Sequence, residues 1–493
     1  MRGANAARDQ DAAPRHGAAA ELTAVVRAFG LLAAASLLGQ AIGFFALVYV
    51  AHRVGARGVG QYNFVFAIVS FFGLFGNLGL DTFAVRAIAS NRDTRAITSD
   101  VVALKLTFAV IGYAVLVASR SHLTNDPVEQ SLVPIVGLNL LVWAFTLDWR
   151  VLAMRRFGTL ASWRLAGQVV YGALVPIFVV VGTEGVRAYA WLNVVGVAVT
   201  MVGLVFAVLF DRRTMPPMPS SSRMRARLLA GLPFLYGLAM LQLYTSVDII
   251  MLGSLRSSRQ VGIYAIANRL PGALIVLVNV WLNAFFPHAA AEAASNPRNL
   301  MSQVSRLVTA MSVLGIGLVV GAILCAQELI TWLFGRSFAS AGPPCIVLSG
   351  AAAVTLIDVT YGTLLQASDS ERTFGRAITF GVITNVAANI VLIPAAGALG
   401  AAISTLVAEI TLGGILIVLL TRRLGPTHPD WHRIVRGLGA SCLMAACVLA
   451  TQQFGTIVAV TTGVVTFFAA GFALGALDLT LISRRPGRAA GAM

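Results

Sequence analysis

Tyr236, Met240, Tyr244 and Asp248 recur at intervals of four through an otherwise apolar stretch, which on a helix sets two phenols and a carboxylate on one stripe. Asn268, Arg269, Asn279 and Asn283 interrupt a second such stretch, and Asn77 and Asp81, again four apart, interrupt a third. These faces are too polar for hydrocarbon, where each unsatisfied polar group costs several kcal/mol. They suit a wet path for a polar or charged group that has to pass through. Arg269, the basic residue deepest within an apolar stretch, either binds an oxyanion such as a pyrophosphate or an acidic sugar in its guanidinium fork or pairs with Asp248 so that both charges survive burial. Asp358 and Glu409 also sit midway along apolar stretches, with Thr405 one turn before Glu409. They suit either a coupling proton or sodium ion, or plain hydrogen bonding between helices.

The elements that must carry these groups are membrane-spanning helices. A chain of 493 residues with 58% hydrophobic and 11% charged residues and a mean hydropathy of +0.82 lies outside the soluble globular range. Fourteen segments reach the roughly 20 apolar residues that a helix needs to cross a ~30 Å hydrocarbon core. Twenty-eight of the thirty-six basic residues fall in alternate gaps between them, Lys105 among the twenty-eight; seven fall in the opposite gaps and Arg269 lies inside a segment. Because cationic loops resist translocation, both termini are expected in the cytoplasm of a bacterial inner (plasma) membrane protein. The formal charge of +16 and pI near 10.8 are then explained by loop asymmetry and anionic lipid headgroups rather than by a nucleic-acid partner.

The fold class expected is all-α, with the segments in two pseudo-symmetric six-helix bundles plus two C-terminal helices. Residues 1–27 read as a disordered cytoplasmic tail, 28–210 as the first bundle, 211–227 as a cytoplasmic linker rich in Pro and Ser, 228–420 as the second bundle, 421–482 as the last two helices and 483–493 as a basic tail. Val59-Gly60-Gln61-Tyr62 and Val261-Gly262-Ile263-Tyr264 open the second and eighth segments at an offset of 202. Such parallel repeats are a transporter architecture, with substrate bound between the halves. Arg53, Arg57, Arg256 and Arg259 fall in pseudo-equivalent outward loops, where they either line an outer gate or are simply solvated. Asp148, Arg150 and Asp478 read as interfacial, as do His428 and His432 beside Trp431. Gly39 and Gly43 form a small-residue packing face. Cys325 and Cys345 flank one outward loop, as a disulfide or as two free thiols, and Cys442 and Cys447 add no metal-ligand spacing.

His52-Arg53-Val54-Gly55-Ala56-Arg57-Gly58-Val59-Gly60-Gln61-Tyr62, then Ser70 to Leu80, then Asp248-Ile249-Ile250-Met251-Leu252-Gly253 and Ala267-Asn268-Arg269-Leu270, resemble bacterial polysaccharide transporters of the O-antigen flippase type. These belong to the multidrug/oligosaccharidyl-lipid/polysaccharide (MOP) exporter superfamily, and the likeness runs from about Phe29 to Ile482. The resemblance implies a flippase that moves a polyprenyl-pyrophosphate-linked oligosaccharide across the membrane by alternating access for cell-surface polysaccharide biosynthesis. It implies a lipid-linked glycan as substrate, membrane lipids and the polysaccharide polymerase or assembly machinery as partners, and no cofactor. Where that family often has an acidic residue after Gly-Pro, Ala56-Arg57-Gly58 adds a cation instead. An ion-coupled multidrug or cation antiporter of the same superfamily is the alternative, with Asp358 and Glu409 then leading. A membrane glycosyltransferase, glycan polymerase or ligase would need catalytic acids on a sizeable outer loop, and the outward gaps offer only the scattered Asp126, Glu129, Glu184 and Glu328. Neither catalytic residues nor a metal site are expected, and the only lysine, Lys105, does not follow a phosphate-binding glycine.

Overall fold

The computed structural model describes residues 13–90, 93–209, 218–279, 297–367 and 371–478, together with Leu282 and Glu292. Among them every regular element is a helix. The long ones are α1 (Ala13–Asn77), α2 (Leu80–Ala89), α3 (Thr94–Ala118), α4 (Pro127–Phe145), α5 (Asp148–Ala153), α6 (Phe157–Phe178), α7 (Thr183–Leu209) and α8 (Ser221–Leu255). They continue as α9 (Ser258–Ala267), α10 (Arg269–Asn279), α11 (Pro297–Phe334), α12 (Gly342–Ala367), α13 (Glu371–Ala396), α14 (Ala398–Leu424), α15 (Trp431–Thr451) and α16 (Thr456–Ala473). Among the described residues eleven helices are long and apolar enough to cross a membrane, or twelve when the bent pair α9 and α10 is taken as one span. The protein is an all-α, multi-pass membrane protein.

The first two expected segments lie in α1, which is two helices meeting at a kink. α1 carries a 46-residue apolar run, Leu32–Asn77, that changes direction at Gly55, where φ is 66° and ψ −174°, a conformation costly to a residue with a side chain. The helix also starts at Ala13, within the stretch expected to be a tail, and the Ala-rich sequence from Ala13 to Ala20 has the propensity for it. α6 overlaps the expected fifth segment, Ala166 to Gly182, but is not among the eleven helices apolar enough to cross a membrane.

The chain divides into two compact units, Met1–Val54 with Val65–Ala239 and Gly55–Phe64 with Met240–Met493. In unit 1 the apolar core gathers Leu80, Phe83, Ile97, Val101, Leu104, Trp149, Leu160 and Leu204. Asp100, fully buried on α3, ties the start of α8 to this core. It accepts from Arg223 Nε at 3.0 Å, from Arg223 Nη2 at 3.3 Å and from the Ser220 N–H at 3.2 Å, with Arg227 Nε at 3.8 Å. Arg150, expected at the interface, is instead buried and donates to Thr98 Oγ1 at 2.9 Å.

Unit 2 holds one core of Leu300, Val304, Tyr361, Leu364, Leu412 and Leu416 and another in which α15 and α16 pack through Ala440, Met444, Val448, Ala459 and Phe467 beside Val313 of α11. Among the described residues, the two copies of the Val-Gly-x-Tyr motif approach each other closely in this unit. A Cβ on Gly60 would collide with the Ser258 carbonyl, and one on Gly262 with the Ala56 carbonyl. All four cysteines are free.

Asp100→Ala leaves Arg223, Arg227 and the Ser220 N–H without their buried acceptor. Thermal unfolding of the purified protein in detergent should show a loss on the order of 2 kcal/mol, the worth of hydrogen bonds to a charged group, with Arg223→Gln losing less because half-exposed Arg223 is partly solvated. A melting temperature unchanged in Asp100→Ala would refute the anchoring role.

Candidate functional site

The stripe on α8 leads into two adjoining polar groups of unit 2. Asp248 is 5% exposed, and a carboxylate so far from water needs donors. Its Oδ2 accepts from the Tyr264 hydroxyl at 2.7 Å and lies 2.9 Å from Thr405 Oγ1; its Oδ1 accepts from Asn389 Nδ2 at 2.6 Å. Asn389 also donates to Asn385 Oδ1 at 2.8 Å. One carboxylate thus links α8, α9, α13 and α14. Tyr264, Asn385 and Asn389 were not marked as site residues from sequence, although Asn385 and Asn389 repeat the spacing of four that singled out Asn77 and Asp81.

One turn back along α8, Tyr244 faces Glu409 of α14, which also faces Asp358 and Thr355 of α12. Asp358 and Glu409 are 4% and 6% exposed, so the two carboxyls singled out separately by sequence are neighbours inside the protein. Neither oxygen of Asp358 nor the Tyr244 hydroxyl has a hydrogen bond of good geometry among the described residues. Gly413 lies against Asp358, and a Cβ there would strike the carboxylate. Paired acids of this kind can take up a proton or a small cation, which removes their mutual repulsion.

Asn268 and Arg269 sit at the 45° bend between α9 and α10. Pro271 explains the bend: it has no N–H to return to the Ala267 carbonyl, so the helix cannot run through. Both side chains are exposed. Arg269 has no ion pair among the described residues, and Asp248 is met by hydroxyls and an amide rather than by this guanidinium. Asn279 is half-buried on α10; Asn283 lies outside the described residues.

In unit 1, Asn77 and Asp81 straddle the break between α1 and α2. Asn77 Nδ2 donates to Asp81 Oδ2 at 3.0 Å, and the Asp81 N–H donates back to Asn77 Oδ1 at 3.2 Å. Asp81 Oδ1 takes a hydrogen bond and ion pair from Lys105 Nζ at 2.8 Å. Lys105, counted among the basic residues of the cytoplasmic side yet set within an apolar segment, is 3% exposed on α3. Asp81 keeps a third of its side chain exposed.

The four outer arginines differ. Arg53 lies over the Tyr49 ring, 5.0 Å from its centroid, and donates to its hydroxyl at 3.1 Å. Arg256 is spent on the C-terminal carbonyls of α13, donating to Ile393 O at 3.2 Å and to Pro394 O, where a cation also meets the negative end of the helix dipole. Arg57 and Arg259 are exposed.

Residues 25–292, more than half of the chain, match the family model described as polysaccharide biosynthesis protein. The chain belongs to this family. Among curated relatives, this family member is 31% identical over 191 residues to "Probable flippase AglR" of Haloferax volcanii, covering 38% of this chain and 40% of the relative. It is 26% identical over 163 residues to "Probable low-salt glycan biosynthesis flippase Agl15" of the same organism, covering 33% and 34%. The matches thus span well under two thirds of these relatives. Its fold is similar to that of the lipid II flippase MurJ in an inward closed conformation, at TM-score 0.70, 12% identity, 90% of this chain and 98% of that one. It is also similar to an inward-facing multidrug resistance MATE transporter of the MOP superfamily, at TM-score 0.63, 15% identity, 78% and 94%.

Asp248→Ala should destabilise unit 2, because each donor left buried without an acceptor costs about 1–3 kcal/mol. Asp248→Asn, which keeps one acceptor oxygen, should fall between Asp248→Ala and wild type in a detergent melting experiment. Identical melting of all three would show that the carboxylate does not hold the four helices together.

Proposed function

We propose that the protein is a flippase that carries a lipid-linked oligosaccharide, with a polyprenyl-pyrophosphate carrier, across the bacterial inner membrane by alternating access. The observation that carries this reading is Arg269: an exposed cation at a bend within an apolar span, without an ion pair among the described residues. Leaving a guanidinium there is costly, and an anionic head that binds in its fork would offset that cost. Family membership over residues 25–292 and the two relatives named as flippases support the same class of cargo. Asn268, Asn279 and Asn283 would follow along the substrate path, together with Tyr244 and Asp248 on α8; Asn77 with Asp81 would be the substrate-path residues of unit 1. Arg53, Arg57 and Arg259 would face the released head at the outer side, and Arg256 would hold that side's geometry through α13. Polymerase and assembly machinery would act on the product.

Asp358 and Glu409 would take the coupling ion. The support is their adjacency and burial with the two oxygens of Asp358 unpaired: a proton or monovalent cation is the ligand that such a pair lacks. The same pair supports the antiport of organic cations as the second reading.

Both are tested in proteoliposomes loaded with a defined polyprenyl-pyrophosphate glycan and, in parallel, a cationic dye. Arg269→Ala should slow glycan flipping about tenfold, the equivalent of one charge-assisted hydrogen bond, with Arg269→Lys retaining more. Asp358→Asn with Glu409→Gln should abolish the response to an imposed proton or sodium gradient while leaving the protein folded. Dye movement without glycan movement would overturn the flippase reading in favour of antiport.

A further inference from the structure

A cavity of about 490 Å³ lies in unit 2 between α11 and the strap 425–430 that joins α14 to α15, lined in part by Ser302, Ser305, Arg306, Thr309, His428 and Asp430. It is separate from the groups described above. The strap is pinned at three points. The His428 N–H donates to Ser305 Oγ at 3.0 Å, the Asp430 N–H donates to Thr309 Oγ1 at 2.9 Å, and Thr427 Oγ1 lies 2.7 Å from the Tyr361 hydroxyl. The cavity is therefore preformed, and a ligand entering it would lose little by ordering the walls.

Its free chemistry is cationic. Ser305 and Thr309 are committed to the strap and, through their own protons, to the carbonyls of Met301 and Ser305. That leaves Ser302 and Arg306, four apart on one face of α11, and the His428 ring. Arg306 and Ser302 are exposed, and Arg306 has no ion pair among the described residues. The acid on the wall, Asp430, already faces Arg433 Nε at 3.4 Å, and Arg433 Nη1 reaches Asp478 at 3.5 Å. Arg422 and Arg423 end α14 outside the cavity lining.

We infer that this cavity is a binding site for a phosphate group, with Arg306 forking two of its oxygens, Ser302 donating to a third and His428 closing the rim. Arginine matches phosphate geometry in this way, and basic pockets between membrane helices on the cytoplasmic side capture anionic headgroups, with each nearby cation adding about 1 kcal/mol of attraction. The Arg422 and Arg423 loop is on the side that its charge marks as cytoplasmic. The phosphate could belong to a phospholipid headgroup, whose glycerol would lie on Met301, Leu424 and Pro426, or be free. The site does not depend on the proposed cargo and stands even if that reading fails.

The test is native mass spectrometry of the full chain in detergent, titrated with phosphatidylglycerol, with zwitterionic phosphatidylcholine and with inorganic phosphate. Wild type should retain phosphatidylglycerol over phosphatidylcholine, and Arg306→Ala should bind it about tenfold more weakly, as expected for loss of a charge-assisted contact. Arg306→Lys should fall between, Ser302→Ala should lose less, and Arg423→Ala, outside the cavity lining, should match wild type. Thermal melting checks that each variant is folded; should Arg306→Ala not fold, Arg306→Gln and Ser302→Ala carry the comparison. Competition by inorganic phosphate would support a site that reads phosphate alone, and retention of lipid against excess phosphate would support a headgroup site. Equal binding by wild type and the Arg306 and Ser302 variants, equal loss in Arg423→Ala, or binding of neither phosphatidylglycerol nor inorganic phosphate by wild type would overturn the inference.

Discussion

A charge inside a membrane-length helix has to be met by the protein, because the surrounding hydrocarbon offers it nothing. That constraint orders most of what is seen here. Asp248 is met by a phenol, a hydroxyl and an amide from three other helices, Asp81 by Lys105 and Asn77, and Asp100 by Arg223 and a backbone N–H. Each solution joins separate helices, neighbours in sequence for Asp81 and distant ones for Asp100 and Asp248, so the polar groups act as fasteners where apolar packing alone, against equally apolar lipid, supplies little direction. The cost of burying them is why they have such specific partners.

The Val-Gly-x-Tyr repeat has a physical reason of the same kind. Gly60 and Gly262 each let a backbone come close enough that a methyl group would collide with a carbonyl of the other segment. A repeat noticed as a pattern of letters is therefore two halves of one contact, and the tyrosine of the second copy turns inward to hold Asp248. Neither copy could take a larger residue at the glycine without moving the other segment.

The sequence was informative wherever a group was both polar and conspicuous in an apolar stretch. Asp358, Glu409, Tyr244, Asp248 and Arg269 stood out on that ground, and the helical class followed from segment length and composition. What stayed hidden depended on partners. Asn385 and Asn389 carry no charge, so nothing drew attention to them although the spacing was there. Lys105 lies within the apolar stretch that begins at Val101, but nothing in the residue pattern named Asp81 as the acceptor that meets it. Arg256 looked free because its acceptors are backbone carbonyls of Ile393 and Pro394, which no residue pattern reveals. The kink at Gly55 was hidden for a similar reason: a glycine with positive φ redirects the backbone, and nothing in the surrounding residues marks which glycine does so.

Both units leave some buried polar atoms unmet. In unit 1 Asp81, Lys105, Asp100 and Arg150 have partners, while Asp148 Oδ1, Trp149 Nε1, Arg150 Nε and Arg227 Nε carry no hydrogen bond among the described residues. In unit 2, Asp248 is fully engaged, but the oxygens of Asp358 and the Tyr244 hydroxyl carry no hydrogen bond among the described residues, and Arg269 stands exposed at a bend. Buried polar groups left short of partners weaken a fold by about 1–3 kcal/mol each, and folds keep such strain chiefly where a ligand relieves it. What distinguishes unit 2 is that its unmet groups gather at one place: Tyr244 and Asp358 both face Glu409, so a single small ligand there would relieve several of them at once.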